Sequence, residues 1–340
     1  MDLQQRINAF DALGQRIDDW LAKGDPQFDA LVETAKHHNG WFQPKMVRFA
    51  FDSWADLLTK ETLEAWLSAY AIPENCQKTI AIVMAGNIPL VGFHDLLAVL
   101  LSGHKAVVKL SSNDTVLLPF LMEQLIAIEP RFKELVEFTD QKLEGFDAVI
   151  ATGSNNTARY FEHYFGKYPN IIRKNRNGVA VLDGSESKAQ LEDLAQDVFR
   201  YYGLGCRNVS KVYLPEGYNF DDFFGGMYSC RAVIEDVKYM NNYDYNKAVY
   251  LMSDIALLDN EFMLLKEDAS YGSPISVVHY QYYSELDQVK EQLAQDTEQI
   301  QCVVGDLGWE GMLPFGQAQE PGLADYADGV DTVKFLVDLC

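Results

Sequence analysis

The chain has 340 residues, with 28 Lys and Arg against 50 Asp and Glu, a formal charge of −22, and 48% hydrophobic residues. That surface repels nucleic acid and anionic membrane, so neither is expected as a partner, and it repels anionic small molecules except where a site is locally basic. The length is enough for a substantial core and favours two domains over one.

The opening stretch reads as helices. Leu3, Ile7, Phe10, Leu13, Ile17, Trp20 and Leu21 recur at three- and four-residue steps and give one apolar face. A second helical pattern runs from Pro44 to Leu58, with Phe49, Trp54 and Leu58 on its inner side, and Pro73 ends that character. From Thr79 short β-branched runs alternate with helices. TIAIVMA is a strand and GNIP a turn; VGFHDLLAVLLSG is a helix and AVVKL a strand. DTVLLPFLMEQLIAI is a helix, LVEFTD and DAVIATGS are strands, NTARYFEHYF is a helix and GVAVLD a strand. This is the βαβ rhythm of a parallel, doubly wound sheet, in which ligands bind at the carboxyl ends of the strands.

Past Ser185 the rhythm continues with a helix to Tyr202, the turn GLGC, the strand VSKVYLP and the helix FDDFFGGMY. The strand-like runs AVYLMSD and ISVVHY, the helix SELDQVKEQLAQ and the strand IQCVVGD follow. The pattern predicts a second α/β unit with its own sheet, and a hinge near Asn175 to Gly178. No internal repeat, low-complexity tract or flexible linker stands out.

Cys76, Cys206, Cys230, Cys302 and Cys340 are scattered, with no CxxC. In a chain of this length they read neither as a disulfide framework nor as a zinc site, and the dispersed histidines suggest no metal. MDLQQRINAF lacks a signal-peptide pattern, and the longest apolar run, around Leu96 to Leu101, is too short to cross a bilayer. The cytoplasm is the expected location.

Neither GxGxxG nor GxxxxGK[ST] is present. Three strand-end turns nevertheless carry suitable groups: Gly86-Asn87-Ile88-Pro89; Lys109 followed by Ser111, Ser112 and Asn113; and Thr152-Gly153-Ser154-Asn155-Asn156. The last opens a helix, a geometry suited to phosphate. Singly each has a plainer reading, as a turn former, a solvated charge or a helix cap. A fourth stretch, GLGCRNVSK, sets Cys206 between two glycines and Arg207 just before a strand. A packing cysteine belongs inside an apolar run, whereas this flexible, cationic setting favours a thiolate. It is either a nucleophile or a turn that happens to hold a thiol.

Taken in order, GNIPL, LLSGHKAVVKLSSND, IATGSNNTA and GLGC resemble the aldehyde dehydrogenase superfamily, as does the closing PGLADYADGVDTVKFL; the likeness spans roughly Thr79 to Leu336. It implies an α/β, aldehyde-dehydrogenase-like fold of two doubly wound domains with a helical N-terminal segment. The expected division is 1–75 helical, 76–176 dinucleotide-binding, 177–310 catalytic, and 311–340 returning to the cofactor domain. The resemblance makes Cys206 the nucleophile and gives Asn87, with the Cys206 backbone N–H, the oxyanion hole. Lys109, with Ser111 and Ser112 beside it, would meet the adenosine ribose, and Thr152, Gly153 and Ser154 the pyrophosphate. Arg207 either lowers the thiol pKa or is a surface charge.

One departure is informative. Oxidising members of the superfamily carry a glutamate 34 residues before the cysteine, and here that position is Ile172. An apolar residue is no general base, so hydrolysis of an acyl-enzyme should be slow. Together with the helical N-terminus this points to the acylating, reductive branch and looks most like the bacterial LuxC-type acyl-CoA reductases. The expected substrate is a fatty acyl-CoA, reduced to the aldehyde. Ser112, where many NAD-preferring relatives have a glutamate, favours NADPH, with NADH as the alternative. The local sequence Glu267-Asp268-Ala269 replaces the usual nicotinamide-ribose motif and leaves that role unassigned. Arg173-Lys174-Asn175-Arg176 is either a site for a polyanion such as coenzyme A or a solvated strand end. An acyl-phosphate reductase, an aldehyde dehydrogenase with its base elsewhere, and a non-catalytic acyl-binding relative remain as alternatives. The resemblance also implies a homo-oligomer, and a reactive aldehyde product suggests a protein that donates the acyl group or accepts the aldehyde.

Overall fold

A computed structural model describes residues 1–340, which form two compact units, 1–174 with 322–340, and 175–321. In the first unit α1 (Leu3–Lys23), α2 (Pro26–His38), α3 (Pro44–Leu57) and α4 (Lys60–Leu67) come first. Asp2 and Gln5 close a capping box on α1, and Asp25 caps α2 ahead of Pro26. The periodic residues Ile7, Phe10, Leu13, Ile17 and Trp20 are all buried. They join one core with the sheet that follows, through contacts such as Phe10 with Phe93 and Phe132.

That sheet contains β1 (Thr79–Val83), β2 (Lys105–Lys109), β3 (Val136–Phe138), β4 (Ala148–Thr152) and β5 (Asn170–Arg173), with α5 (Phe93–Leu101), α6 (Leu117–Ile128) and α7 (Asn155–Phe165) as crossovers. Its order is β3-β2-β1-β4-β5, all parallel. The strand order reverses between β1 and β4, the switch point at which a ligand crevice opens beyond the carboxyl ends. The GNIP turn after β1 and the Thr-Gly-Ser turn after β4 flank that point. β5 was not anticipated, because Asn170–Arg173 is only four residues long and runs into a basic stretch.

The second unit begins with β6 (Asn177–Val181), α8 (Lys188–Phe199), β7 (Val209–Pro215), α9 (Phe220–Met227) and α10 (Val237–Met252). It continues through β8 (Leu258–Asp259), β9 (Leu264–Glu267), β10 (Val277–Tyr283), α11 (Leu286–Gln295) and β11 (Ile300–Val304). The sheet runs β11-β6-β7-β10-β9-β8, with only β8 antiparallel. AVYLMSD, expected as strand, instead closes α10. Tyr239, Tyr243 and Asn246 are the buried residues there, at helical spacing that the apolar run AVYLM at its end conceals.

Residues 322–340, ending in α12 (Thr332–Val337), dock on the first unit. Leu323, Val333 and Leu336 enter its core; Trp66 Nε1 donates to the Tyr326 hydroxyl (2.8 Å), and Tyr70 donates to Asp331 (2.9 Å). The absence of any disulfide, expected from cysteine spacing, is corrected here: Cys76 and Cys340 are bonded, with Cα atoms 6.0 Å apart. Spacing fails because the partners lie 264 residues apart and meet only through the docking of α12. No helix is long and apolar enough to cross a membrane.

Closing so long a loop restricts the unfolded chain, which stabilises the fold by about 2–5 kcal/mol. Cys76→Ser is therefore expected to lower the melting temperature, and dithiothreitol to lower that of the unmodified chain by a similar amount while leaving the variant unchanged. Calorimetry with and without reductant reads both.

Candidate active site

Asn87 sits half-buried in the turn leaving β1. The turn is braced by the next strand's exit: Met84 N–H donates to the Lys109 carbonyl (3.0 Å), and a Cβ on Gly86 would lie 2.7 Å from Ser111. Asp114 is buried and accepts the Leu117 N–H at 3.2 Å; burial raises its pKa, against hydrogen bonds from Leu117, Val116 and Leu90. One carboxylate thus serves the start of α6 and the end of the Asn87 turn, where Leu90 is held at φ 57°. Lys109 Nζ donates to the Gln141 carbonyl (3.3 Å), Ser111 Oγ accepts the Asn113 N–H, and Ser112 is exposed.

Ser154 caps α7, its Oγ accepting the Thr157 N–H (3.3 Å). Ser154, Asn155 and Asn156 are exposed at this helix start, immediately beyond Thr152 and Gly153 at the end of β4. Neutral donors at a helix N-terminus, with Lys109 on the neighbouring side of the sheet and no carboxylate among them, fit an anionic dinucleotide.

Cys206 occupies the turn at the amino end of β7 and is half-buried. Before it, Tyr201, Tyr202 and Gly203 are successively left-handed at φ 52°, 59° and 77°. Two tyrosines in that region cost about 1–2 kcal/mol each, a strain their burial opposes. After it, Asn208 is buried and binds in every direction. Its Oδ1 accepts the Gly205 N–H (2.8 Å), while its Nδ2 donates to the carbonyls of Asp197 (3.0 Å), Val198 (3.3 Å) and Arg200 (2.7 Å). The last carbonyls of α8 have no helical partners, so Asn208 both caps that helix and fixes the Cys206 turn.

The floor of the turn is tight. Gly178 N–H donates to the Asn208 carbonyl (3.0 Å), and a Cβ there would stand 2.5 Å from the Arg207 carbonyl oxygen. Cys302, opposite Gly178 on β11, donates its thiol to that same oxygen (3.6 Å); burial pushes its pKa up to about 11. Arg207 Nε donates to the Ala318 carbonyl at 2.6 Å, a tie between loops.

The basic run likewise binds within the protein. Arg173 is buried and donates to Asp95 (2.6 Å), the Ala327 carbonyl (2.6 Å) and Thr332 (2.9 Å). Lys174 pairs with Glu162 (2.9 Å), and Arg176 donates to the Thr297 carbonyl (2.8 Å). Ile172, on edge strand β5, is half-buried and paired with Ala151.

Lys211 escaped sequence reasoning, since a lysine in a strand reads as an outward charge. It is fully buried under Tyr213 and Tyr271 and donates to the carbonyls of Asp268 (3.0 Å) and Ala269 (2.7 Å) and to Gln281 (2.8 Å). With Ser210 donating to the Tyr271 carbonyl (2.8 Å), it fixes the loop holding Asp268. Lys266 and Ser270 hold the Asp268 carboxyl far below its usual pKa.

Residues 75–225 match the family model for LuxC acyl-CoA reductases. Over this stretch, a little under half of its length, the chain resembles the LuxC-type acyl-CoA reductases. The matched residues include the Asn87, Lys109, Ser154 and Cys206 turns. In structure the chain resembles aldehyde dehydrogenase 21 of Physcomitrella patens in complex with its product succinate, with a TM-score of 0.70 at 16% identity over 100% of this chain and 84% of that one. An indole-3-acetaldehyde dehydrogenase bound to NAD+ gives 0.64 at 13% identity, over 90% and 73%. An NADP-dependent enzyme of E. coli gives 0.63 at 14%, over 90% and 74%. Among curated proteins no sequence matches. The fold is that of the aldehyde dehydrogenases, and the LuxC match makes the chain an oxidoreductase of acyl and aldehyde groups.

Burial pushes the Lys211 pKa down to about 8. Between that value and the ordinary one near 10.5 the unfolded chain holds the proton that the folded chain has released, so this group's contribution to stability rises with pH. The difference in unfolding free energy between the native chain and Lys211→Met is expected to move by about 2 kcal/mol, in favour of the native chain, from pH 7.5 to 9.5. Urea titrations at the two pH values measure it.

Proposed function

We propose that this LuxC-type chain reduces a long-chain fatty acyl-CoA to the aldehyde with NADPH, through an acyl-enzyme on Cys206. The observation that most supports the reading is the Cys206 turn itself. A half-buried thiol sits in a strained loop ahead of a central strand, and buried Asn208 fixes the residues on both sides. Such strain persists where the surroundings enforce it and is concentrated at functional sites.

In this reading the Cys206 thiolate attacks the thioester carbonyl, and coenzyme A leaves as its thiolate. The Asn87 amide and the Cys206 backbone N–H are the donors assigned to the developing oxyanion. Lys109, Ser111 and Ser112 are assigned to the adenosine ribose, and Thr152, Gly153 and Ser154, at the start of α7, to the pyrophosphate. A nicotinamide held by these residues would supply hydride, and the adduct then carried by Cys206 would be a thiohemiacetal. Collapse of that adduct releases the aldehyde and returns Cys206 as the thiol. Ile172 offers no base to activate water, which leaves the thioester intact until it is reduced. Exposed Ser112 puts no carboxylate against a 2′-phosphate, which supports NADPH over NADH. The expected setting is the cytoplasm, with a homo-oligomer and a protein that donates the acyl group or accepts the aldehyde as partners.

The test uses purified protein with a long-chain acyl-CoA. Without reduced cofactor, release of coenzyme A should stop at about one equivalent per Cys206; with NADPH it should continue with aldehyde formed. Cys206→Ala should abolish both, and Asn87→Ala should slow acylation by about 10²–10³-fold. Continued release without cofactor would mean a hydrolytic enzyme, and turnover of an acyl phosphate alone would mean the substrate class is wrong. A slow Cys206, no more reactive to thiol reagents than the other thiols, would mean a non-catalytic relative.

A further inference from the structure

We propose that Asp197 is a positioning residue for the nucleophile, its buried carboxylate shaping the Cys206 turn through a closed ring of hydrogen bonds. The proposal rests on the reading of Cys206 as the nucleophile. Asp197 stands at the end of α8, fully buried. Its Oδ2 accepts the Gly316 N–H (2.7 Å) and its Oδ1 the Ala318 N–H (2.9 Å). The Ala318 carbonyl accepts Arg207 Nε (2.6 Å), and Asn208, next in the chain, donates back to the Asp197 main-chain carbonyl (3.0 Å). Asn208 also accepts the Gly205 N–H. Both neighbours of Cys206 are therefore tied to Asp197, Gly205 by way of Asn208 and Arg207 by way of Ala318.

The ring is strongest with an ionised carboxylate. Two N–H donors at 2.7 and 2.9 Å need two acceptor oxygens; an amide supplies one, and its NH₂ would face the other donor. A protonated carboxyl keeps lone pairs on both oxygens, but its hydroxyl oxygen is the poorer acceptor, so protonation weakens one of the two bonds. Yet no cation pairs with Asp197. The charges facing it from its own helix and from the 316–320 segment, Asp193 and Glu320, are negative. Arg207 meets the Ala318 carbonyl through Nε and forms no ion pair with Asp197, and the Cys302 thiol beneath the turn is buried, its pKa pushed up to about 11. A buried anion without a counter-ion is expensive, and here its two oxygens serve a loop built around a reactive thiol.

Burial pushes the Asp197 pKa up to about 6, so the ring titrates in an accessible range. The folded chain takes up this proton at higher pH than the unfolded one. Acid therefore favours the folded state through this group even as it weakens the ring. The turn loosens while the unit stays folded.

The experiment follows the burst of coenzyme A release on mixing with a long-chain acyl-CoA, from pH 5 to 8, beside iodoacetamide labelling of Cys206 read by peptide mass. The native chain should show an acid limb in the acylation rate constant centred near pH 6. Asp197→Asn should acylate at least tenfold more slowly at pH 7.5 at saturating acyl-CoA, with the half-saturating concentration unchanged, and should lack that limb. Arg207→Met, which leaves the buried carboxylate alone and breaks the ring one link further on, should reproduce the rate loss. It settles the matter if Asp197→Asn does not fold. Native acylation rates in both variants, or an identical acid limb in Asp197→Asn, would overturn the proposal. If the native chain gives no burst, the function reading fails instead, and labelling decides. A pH profile of Cys206 labelling that differs between native chain and Asp197→Asn upholds the role of Asp197, and identical profiles overturn it.

Discussion

A turn at the amino end of a buried parallel strand has no ladder to receive its backbone groups, and it must find them partners or leave them unsatisfied. In the second unit that task falls to one side chain. The Asn208 amide accepts from Gly205 and donates to Asp197, Val198 and Arg200. The same four bonds close α8, whose last carbonyls would otherwise be orphaned, and hold the left-handed run from Tyr201 to Gly203 in place. Helix end, strained turn, Cys206 and β7 form one connected piece, so the thiol inherits the rigidity of a helix and a central strand.

The two units meet the cost of buried charge in three ways. Arg173 and Asp95 form a buried ion pair at 2.6 Å, completed by the Ala327 carbonyl and the Thr332 hydroxyl. That pair gives specificity more than stability, since its value lies in the segments it joins: β5, α5 and the start of α12. Lys211 is a cation with only neutral acceptors, three oxygens and two aromatic faces, and it gives up part of its affinity for the proton. Asp197 is the converse, an anion held by backbone N–H groups. In all three the charged group fixes a loop that has no ladder of its own.

What sequence reveals and hides follows from the range of the interactions. The alternation of β-branched runs with apolar helices is local, and so the parallel sheets and the strand-end turns holding Asn87, Lys109, Ser154 and Cys206 were legible. AVYLMSD misled because its composition suits a strand, while the burial of Tyr239, Tyr243 and Asn246 follows a helix. Longer-range facts left no trace. Cys76 and Cys340 are brought together by the docking of α12, and Asp197 looks like a surface residue of α8 until Gly316 and Ala318 arrive across it. Arg173 reads as part of a cationic patch until Asp95 is placed beside it. Asn208 alone was visible yet unread, two residues past the cysteine, where an amide that binds its own turn is the expected device.

The chemistry follows from what stands at two positions. An acyl group on a cysteine is a thioester, open to water, to a second thiol and to hydride. Which reaction prevails depends on what the protein activates. At 172, where an oxidising relative places its glutamate, β5 presents an isoleucine packed in register with Ala151. The neighbouring position is filled by Arg173, committed to Asp95 and the docked segment. Successive side chains on a strand point to opposite faces, so Arg173 can serve the docked segment while Ile172 occupies the other face. On the proposed function, an acyl-enzyme with no base to activate water would survive long enough to be reduced. On that reading the fold would run from the activated acid to the aldehyde.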